Sequence, residues 1–122
     1  MRIRGLHHVQ IAAPPGREAE VRRFYAEGIG LEEIPKPPHL AVRGGLWFRC
    51  GSQELHVGVD PEFRAGWKTH PAFEVEQLEA LRARLIAHGA EVFDDLPLPG
   101  YRRFYARDPF GNRLEFVERS PV

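Results

Sequence analysis

The chain has 122 residues, enough for one domain with a sizeable core. Lys plus Arg and Asp plus Glu each number 17, so the formal net charge is zero, which argues against a nucleic-acid or anionic-membrane surface. A single cysteine, Cys50, excludes an intramolecular disulfide, and no apolar run approaches membrane-spanning length. The apolar part of "MRIRGLHHVQIAAPP" is short and broken by His and Gln, unlike a signal peptide. A cytoplasmic chain without nucleic-acid or membrane partners is the expectation.

In chain order, "LHHVQIAA" alternates and stops at "PPG", as a strand does. "GREAEVRRFYAEGIG" reads as a helix with Val21, Phe24, Tyr25 and Gly28 on one face, ended by its glycines. "EEIPKPP" is a weak strand whose prolines suit an edge or a loop. "LAVRG" and "GLWFRCG" read as one bent or interrupted strand region, and "QELHVGV" as the next strand. "DPEFRAGWKT" is a linker. The order then recurs. "HPAFEV" is a strand, and "EQLEALRARLIAHG" is an amphipathic helix with Leu78, Leu81, Leu85 and Ile86 inward, ended at Gly89. "AEVFDDLPLPG" is a short strand and loop. "YRRFYARD" and "NRLEFVE" are strands joined by turn-forming Asp108, Pro109, Gly111 and Asn112.

Each half therefore reads as β-α-β-β-β, an α+β fold of two paired modules at about 1–60 and 68–119. Overlaying the halves places His8 on His70 and His56 on Glu115, with offsets of 62 and 59 residues. Any one histidine is ordinarily a surface or core residue. Four potential ligands at repeat-matched positions, opposite the apolar stripe of their strands, point to a divalent transition metal. The first strand is ambiguous by parity, Val9 and Ile11 competing with Gln10 and Ala12 for the inside. His7 is assigned to the helix side or a strand end, and His39 and His88 to the surface.

These residues resemble the vicinal oxygen chelate superfamily, which includes glyoxalases, bleomycin-resistance proteins and dioxygenases. The resemblance rests on "LHHVQIA", "FYAEGIGLEEIPKPP", "HPAFEVEQLEALRARL" and, most specifically, "YRRFYARDPFGNRLEF". It implies a half-open barrel around a metal (Zn, Ni, Mn, Co or Fe) held by His8, His70 and Glu115. Position 56, often Glu in members resembling glyoxalase I, is His here, either a fourth ligand or an acid–base group. It also implies a small substrate with vicinal oxygens and assembly as a homodimer, but the superfamily hosts many reactions and does not name one.

By strand parity Gln10, Trp47, Arg49 and Arg103 are candidates for substrate contact, and Tyr105 and Glu74, with His56, for proton transfer. The parity of "YRRFY" leaves Arg102 and Phe104 as competitors for the inside. The expected function is a metal-dependent lyase, isomerase or dioxygenase. The alternative is a metal-free protein that sequesters drug-like molecules, with Trp47, Phe48, Trp67 and Tyr101 as stacking surface. For an extradiol dioxygenase, a ligating His56 would occupy a position that oxygen or catechol needs.

Overall fold

The computed structural model describes residues 1–121. The chain divides into a unit from Met1 to Arg64 and a second from Ala65 onward. The first carries β1 (His8–Ala13), helix α1 (Glu18–Arg22) running on as a π-helical segment (Arg23–Ile29), β2 (Glu32–Ile34), a short α2 (Pro38–Ala41), β3 (Leu46–Cys50) and β4 (Gln53–Val59). The second carries β5 (Ala72–Glu74), α3 (Leu78–Ala87), β6 (Glu91–Phe93), β7 (Tyr101–Arg107) and β8 (Arg113–Arg119). The sheets are open and share one topology, β1-β4-β3-β2 and β5-β8-β7-β6. In each, the first and last strands are parallel neighbours and the other pairings are antiparallel. A parallel pair needs a crossover, and the helix of each half lies within it.

In the first unit Val21, Phe24, Tyr25 and Gly28 are buried, as their helical spacing requires, with Leu46, Phe48, Leu55 and Val57 also buried. The helix stops at Gly30, whose φ of 93° is left-handed. The strand expected at "LAVRG" is instead a helical turn, α2. Pro38 sits at the start, where a fixed φ and missing N–H suit a helix. Leu40 and Ala41 both donate to the Pro37 carbonyl, at 2.9 and 3.0 Å. Val42 is left 86% exposed, so no strand face is served there. Gly45 follows with φ 85°, and a Cβ on it would lie 2.3 Å from the Val57 carbonyl oxygen. Only glycine lets the chain enter β3 that closely.

In the second unit Leu78, Leu81 and Leu85 of α3 are buried, as are Phe73, Phe104, Leu114 and Phe116. Phe116 stacks on Phe73 and on Phe104, with centroids 5.4 and 5.1 Å apart. Ile86, expected inward, is 55% exposed. It stands one residue beyond Leu85 and is turned about 100° off the leucine stripe. The start of α3 is capped from β8: both Glu118 carboxylate oxygens accept, from the Gln77 N–H at 2.8 Å and the Leu78 N–H at 3.2 Å.

Leu114→Ala should cost about 2–5 kcal/mol as a core truncation. Ile86→Ala should stay within about 0.5 kcal/mol, as exposed substitutions do. Denaturant melts of the two variants check both values.

Candidate functional site

The ladder register decides which side chains share a face. In the first sheet Gln10 and Trp47 both pair with His56, and His8 and Arg49 both pair with Glu54. These six residues stand on one face, opposite Phe48, Leu55 and Val57, because side chains alternate along a strand. The parity of β1 is thereby settled: Ala13 is 2% exposed, so the odd positions take the core side. Phe48 is fully buried on that side and offers no stacking surface to a ligand.

His56 is buried between two rings. Trp47 stacks on it at 4.0 Å between centroids and His8 at 4.2 Å, both nearly parallel. Its Nε2 lies 2.8 Å from Glu54 Oε1, and that hydrogen bond holds the Glu54 carboxyl below its ordinary range. His8 Nδ1 is 2.9 Å from His7 Nδ1; His7 is exposed just ahead of β1. His39 and His88 are exposed. Gln10 lies along Gly58, where a Cβ would sit 2.5 Å from its Nε2.

In the second sheet Ala72 and Tyr105 both pair with Glu115. His70 stands two residues before Ala72, as His8 stands two before Gln10, so the hydrogen-bond registers follow the sequence overlay. Tyr105, Arg103 and Glu74 share the face of Glu115, while Phe104 and Ala106 go to the core. His70 Nε2 is 2.8 Å from Glu115 Oε1, and His70 Nδ1 is 2.7 Å from the Lys68 carbonyl. Arg103 donates from Nη1 to Glu115 Oε2 at 3.1 Å, and from Nε to the Leu96 carbonyl, also at 3.1 Å. Burial pushes the Glu115 carboxyl up, but the hydrogen bonds from His70 and Arg103 outweigh it, and it lies below the usual range. The Tyr105 ring meets His70 edge-on at 5.5 Å and stacks on Phe93, with the Arg113 guanidinium 4.2 Å from its centroid. Glu74 is exposed.

Both ring nitrogens of His70 thus face acceptors, a carbonyl and a carboxylate. Without a cation, both contacts are hydrogen bonds only if both nitrogens carry hydrogen. A divalent cation replacing the Nε2 proton fits the same donors. The Nδ1–H bond to Lys68 would then hold the tautomer that leaves Nε2 free to ligate. Among the described residues no group of three or more His, Cys, Asp or Glu side chains is arranged to hold a metal. The convergence is pairwise, His8 with His56 and His70 with Glu115.

Three contributors escaped the sequence reading. Glu54 stands two residues before His56 on the same face, and Arg113 two before Glu115, so strand parity could have found both. The Lys68 carbonyl is backbone and carries no sequence signal.

The family model for the glyoxalase-like domain matches residues 11–117. A glyoxalase family protein from Bacillus anthracis is 52% identical, with a TM-score of 0.93 and 98% of each chain covered. A lactoylglutathione lyase from Agrobacterium tumefaciens is 23% identical, with a TM-score of 0.73, over 96% of this chain and 95% of its own. An antibiotic-binding protein from a Streptomyces species is 22% identical, with a TM-score of 0.77, over 98% of this chain and 99% of its own. These last two share the fold. Among proteins of curated function, none matches.

Because its folded-state pKa is lowered, Glu115 contributes stability above the ordinary carboxylate range and loses it as pH falls through the folded value. Glu115→Gln should therefore flatten the acid side of the stability–pH curve of metal-free protein, measured by denaturant melts from neutral pH downward.

Proposed function

The chain belongs to the glyoxalase-like family, and from that premise we propose that it is a divalent-metal enzyme acting on a small substrate with vicinal oxygens. The ligands are His70 and Glu115, which meet in the second unit, and His8, which the sequence overlay adds; His56, stacked on His8, is the proton-holding group. The observation that carries the reading is the pairing of His70 Nε2 with a buried carboxylate at 2.8 Å while Nδ1 is committed to a carbonyl. A solvated surface histidine has no need of either partner. When bound, the metal would supply Lewis-acid stabilisation to an oxyanion or enolate on the substrate.

The protein's own groups do the positioning. The Lys68 carbonyl orients His70. Arg103 holds Glu115 and ties it to the Leu96 carbonyl, so it acts on the ligand more directly than on a substrate anion. Trp47 and His8 fix the plane of His56, and Glu54 accepts from its Nε2. That bond favours His56 as a group that stores and delivers a proton over His56 as a fourth ligand. Glu74, exposed on the Glu115 face, and Tyr105, next to His70, are the other candidates for moving a proton. Gln10 and Arg49 flank His56 and Glu54 in the ladder and are the candidates for substrate contact.

Metal-free protein titrated with Zn, Ni, Mn, Co or Fe(II) should take up about one ion per chain, with affinity falling on acidification as protons compete for imidazole nitrogens. Glu115→Gln and His70→Ala should each lose most of that affinity in calorimetric titration. Uptake of no ion by wild type would turn the reading to sequestration of an aromatic molecule, with Trp47 as its platform. Light scattering is expected to show a homodimer, since among the described residues each sheet has edge strands paired on one side only.

A further inference from the structure

The turn Asp108–Asn112 joins β7 to β8, and closing that hairpin needs only part of what it does. Asp108 Oδ1 accepts from the Phe110 and Asn112 N–H groups, each at 2.9 Å, and the Gly111 N–H donates to the Asp108 carbonyl at 3.0 Å. Those bonds close the turn. Other groups of the same segment reach out of the hairpin. Asn112 Nδ2 donates to Asp108 Oδ2 at 2.9 Å, which aims Asn112 Oδ1 at the Gly66 N–H, also 2.9 Å away. The Arg113 N–H donates to the Gly66 carbonyl at 2.9 Å. Arg107 donates to the Trp67 carbonyl at 2.9 Å and lays its guanidinium over the Trp67 ring, 3.7 Å from the centroid. The Glu115 N–H donates to the Pro71 carbonyl at 3.0 Å.

The backbone from Gly66 to Pro71 is therefore tied to the hairpin at both ends. Between the ties lie Lys68, whose carbonyl orients His70, and His70 itself. Asp108 and Asn112 are both 4% exposed, and a buried pair of this polarity is stable only when fully hydrogen-bonded. Gly66 fits the same device: a Cβ there would lie 3.0 Å from the Thr69 carbonyl oxygen and 3.1 Å from its Oγ1, so a side chain would press on the residue next to His70.

We propose that the Asp108–Asn112 pair is a positioning device for His70, holding Gly66 so that the segment beyond it presents the imidazole to Glu115. Its meaning for function rests on the reading of His70 as a metal ligand; the positioning itself does not.

The test uses Asp108→Asn, Asn112→Asp and the two combined. Each single change sets like against like across the pair, donor to donor or carboxylate to carboxylate. The combined change presents the same donors and acceptors in reverse order. Leu81→Ala serves as a control that weakens the α3 core and leaves the turn alone. The first readout is the His70 imidazole in long-range nitrogen-15 correlation spectra of metal-free protein at fixed pH. The second is affinity for Co(II) followed by its visible absorption. Each single change should erase the wild-type His70 signals and weaken Co(II) binding about 10–100-fold, as loss of support around a ligand does. The combined change should restore both, and Leu81→Ala should alter neither. The proposal fails if the single changes lower the melting point yet keep the His70 signals, or if the combined change restores melting without restoring them. If wild type binds no Co(II), the metal reading falls, and the imidazole spectra alone decide the positioning.

Discussion

The constraint on which the rest depends is the two-residue period of the central strands. Leu114, Glu115 and Phe116 are consecutive and all buried, for two different reasons. Leu114 and Phe116 stand on the apolar side with Phe104; Glu115 stands on the other, between His70 and Arg103. The same holds for Leu55, His56 and Val57 in the first unit. A slip of one residue would set a carboxylate among phenylalanines and leave a leucine against an imidazole. Burial of an unpaired charge costs several kcal/mol, so a single register is strongly selected. The apolar stripe that stabilises each unit is thus what aims its polar groups.

The two matched positions solve opposite electrostatic problems with the same bond. In the first unit the central strand offers a base, and a neighbouring carboxylate, Glu54, accepts from it at 2.8 Å. In the second the central strand offers the carboxylate, and a histidine from outside the sheet meets it at 2.8 Å. The roles of His and Glu are exchanged at equivalent places in equivalent sheets. The surroundings follow. His56 lies between flat rings that fix its plane, and Glu115 lies against a guanidinium that holds its charge. Repetition of the fold therefore does not repeat the chemistry, and the second unit is the one whose central strand carries a buried carboxylate.

What was legible in the sequence was what periodicity encodes. The internal repeat, the parities of β4 and β8, the leucine stripe of α3 and the matched places of His8 with His70 and of His56 with Glu115 follow from spacing, while the parities of β1 and β7 stay open until the ladders are seen. What was not legible depends on backbone contacts between distant segments. The "LAVRG" stretch looked like a strand because its residues favour one, but the prolines before it and Gly44–Gly45 after it fix a helical turn and a sharp entry to β3. Hydrophobicity alone puts Ile86 inward, although one step along a helix moves it off the stripe. The Lys68 carbonyl orients His70 and has no side-chain signature. Strand parity makes Arg103 a candidate for substrate contact, because a lone strand does not reveal that the Leu96 carbonyl meets its guanidinium.

The preponderance of arginine, with Lys36 and Lys68 the only lysines, acquires a physical reason on the second sheet. Arg113 lies over Tyr105 while its Nη2 bonds Asp95 at 2.9 Å. Its Nε is the one buried side-chain nitrogen or oxygen without a hydrogen-bond partner among the described residues, and it sits in the guanidinium packed against aromatic rings. Arg107 bonds the Trp67 carbonyl with one nitrogen and sets its guanidinium carbon over the Trp67 ring. Arg103 divides its donors between Glu115 and Leu96 and lies 5.3 Å from the Tyr105 ring. A flat cation can stack and bond at once; a lysine ammonium, a hydrated point charge, would have to choose. With guanidiniums stacked on its aromatic residues, this face keeps positive charge near a buried carboxylate without surrendering its packing. That is a condition for a carboxylate that must remain ionised in a partly dry site.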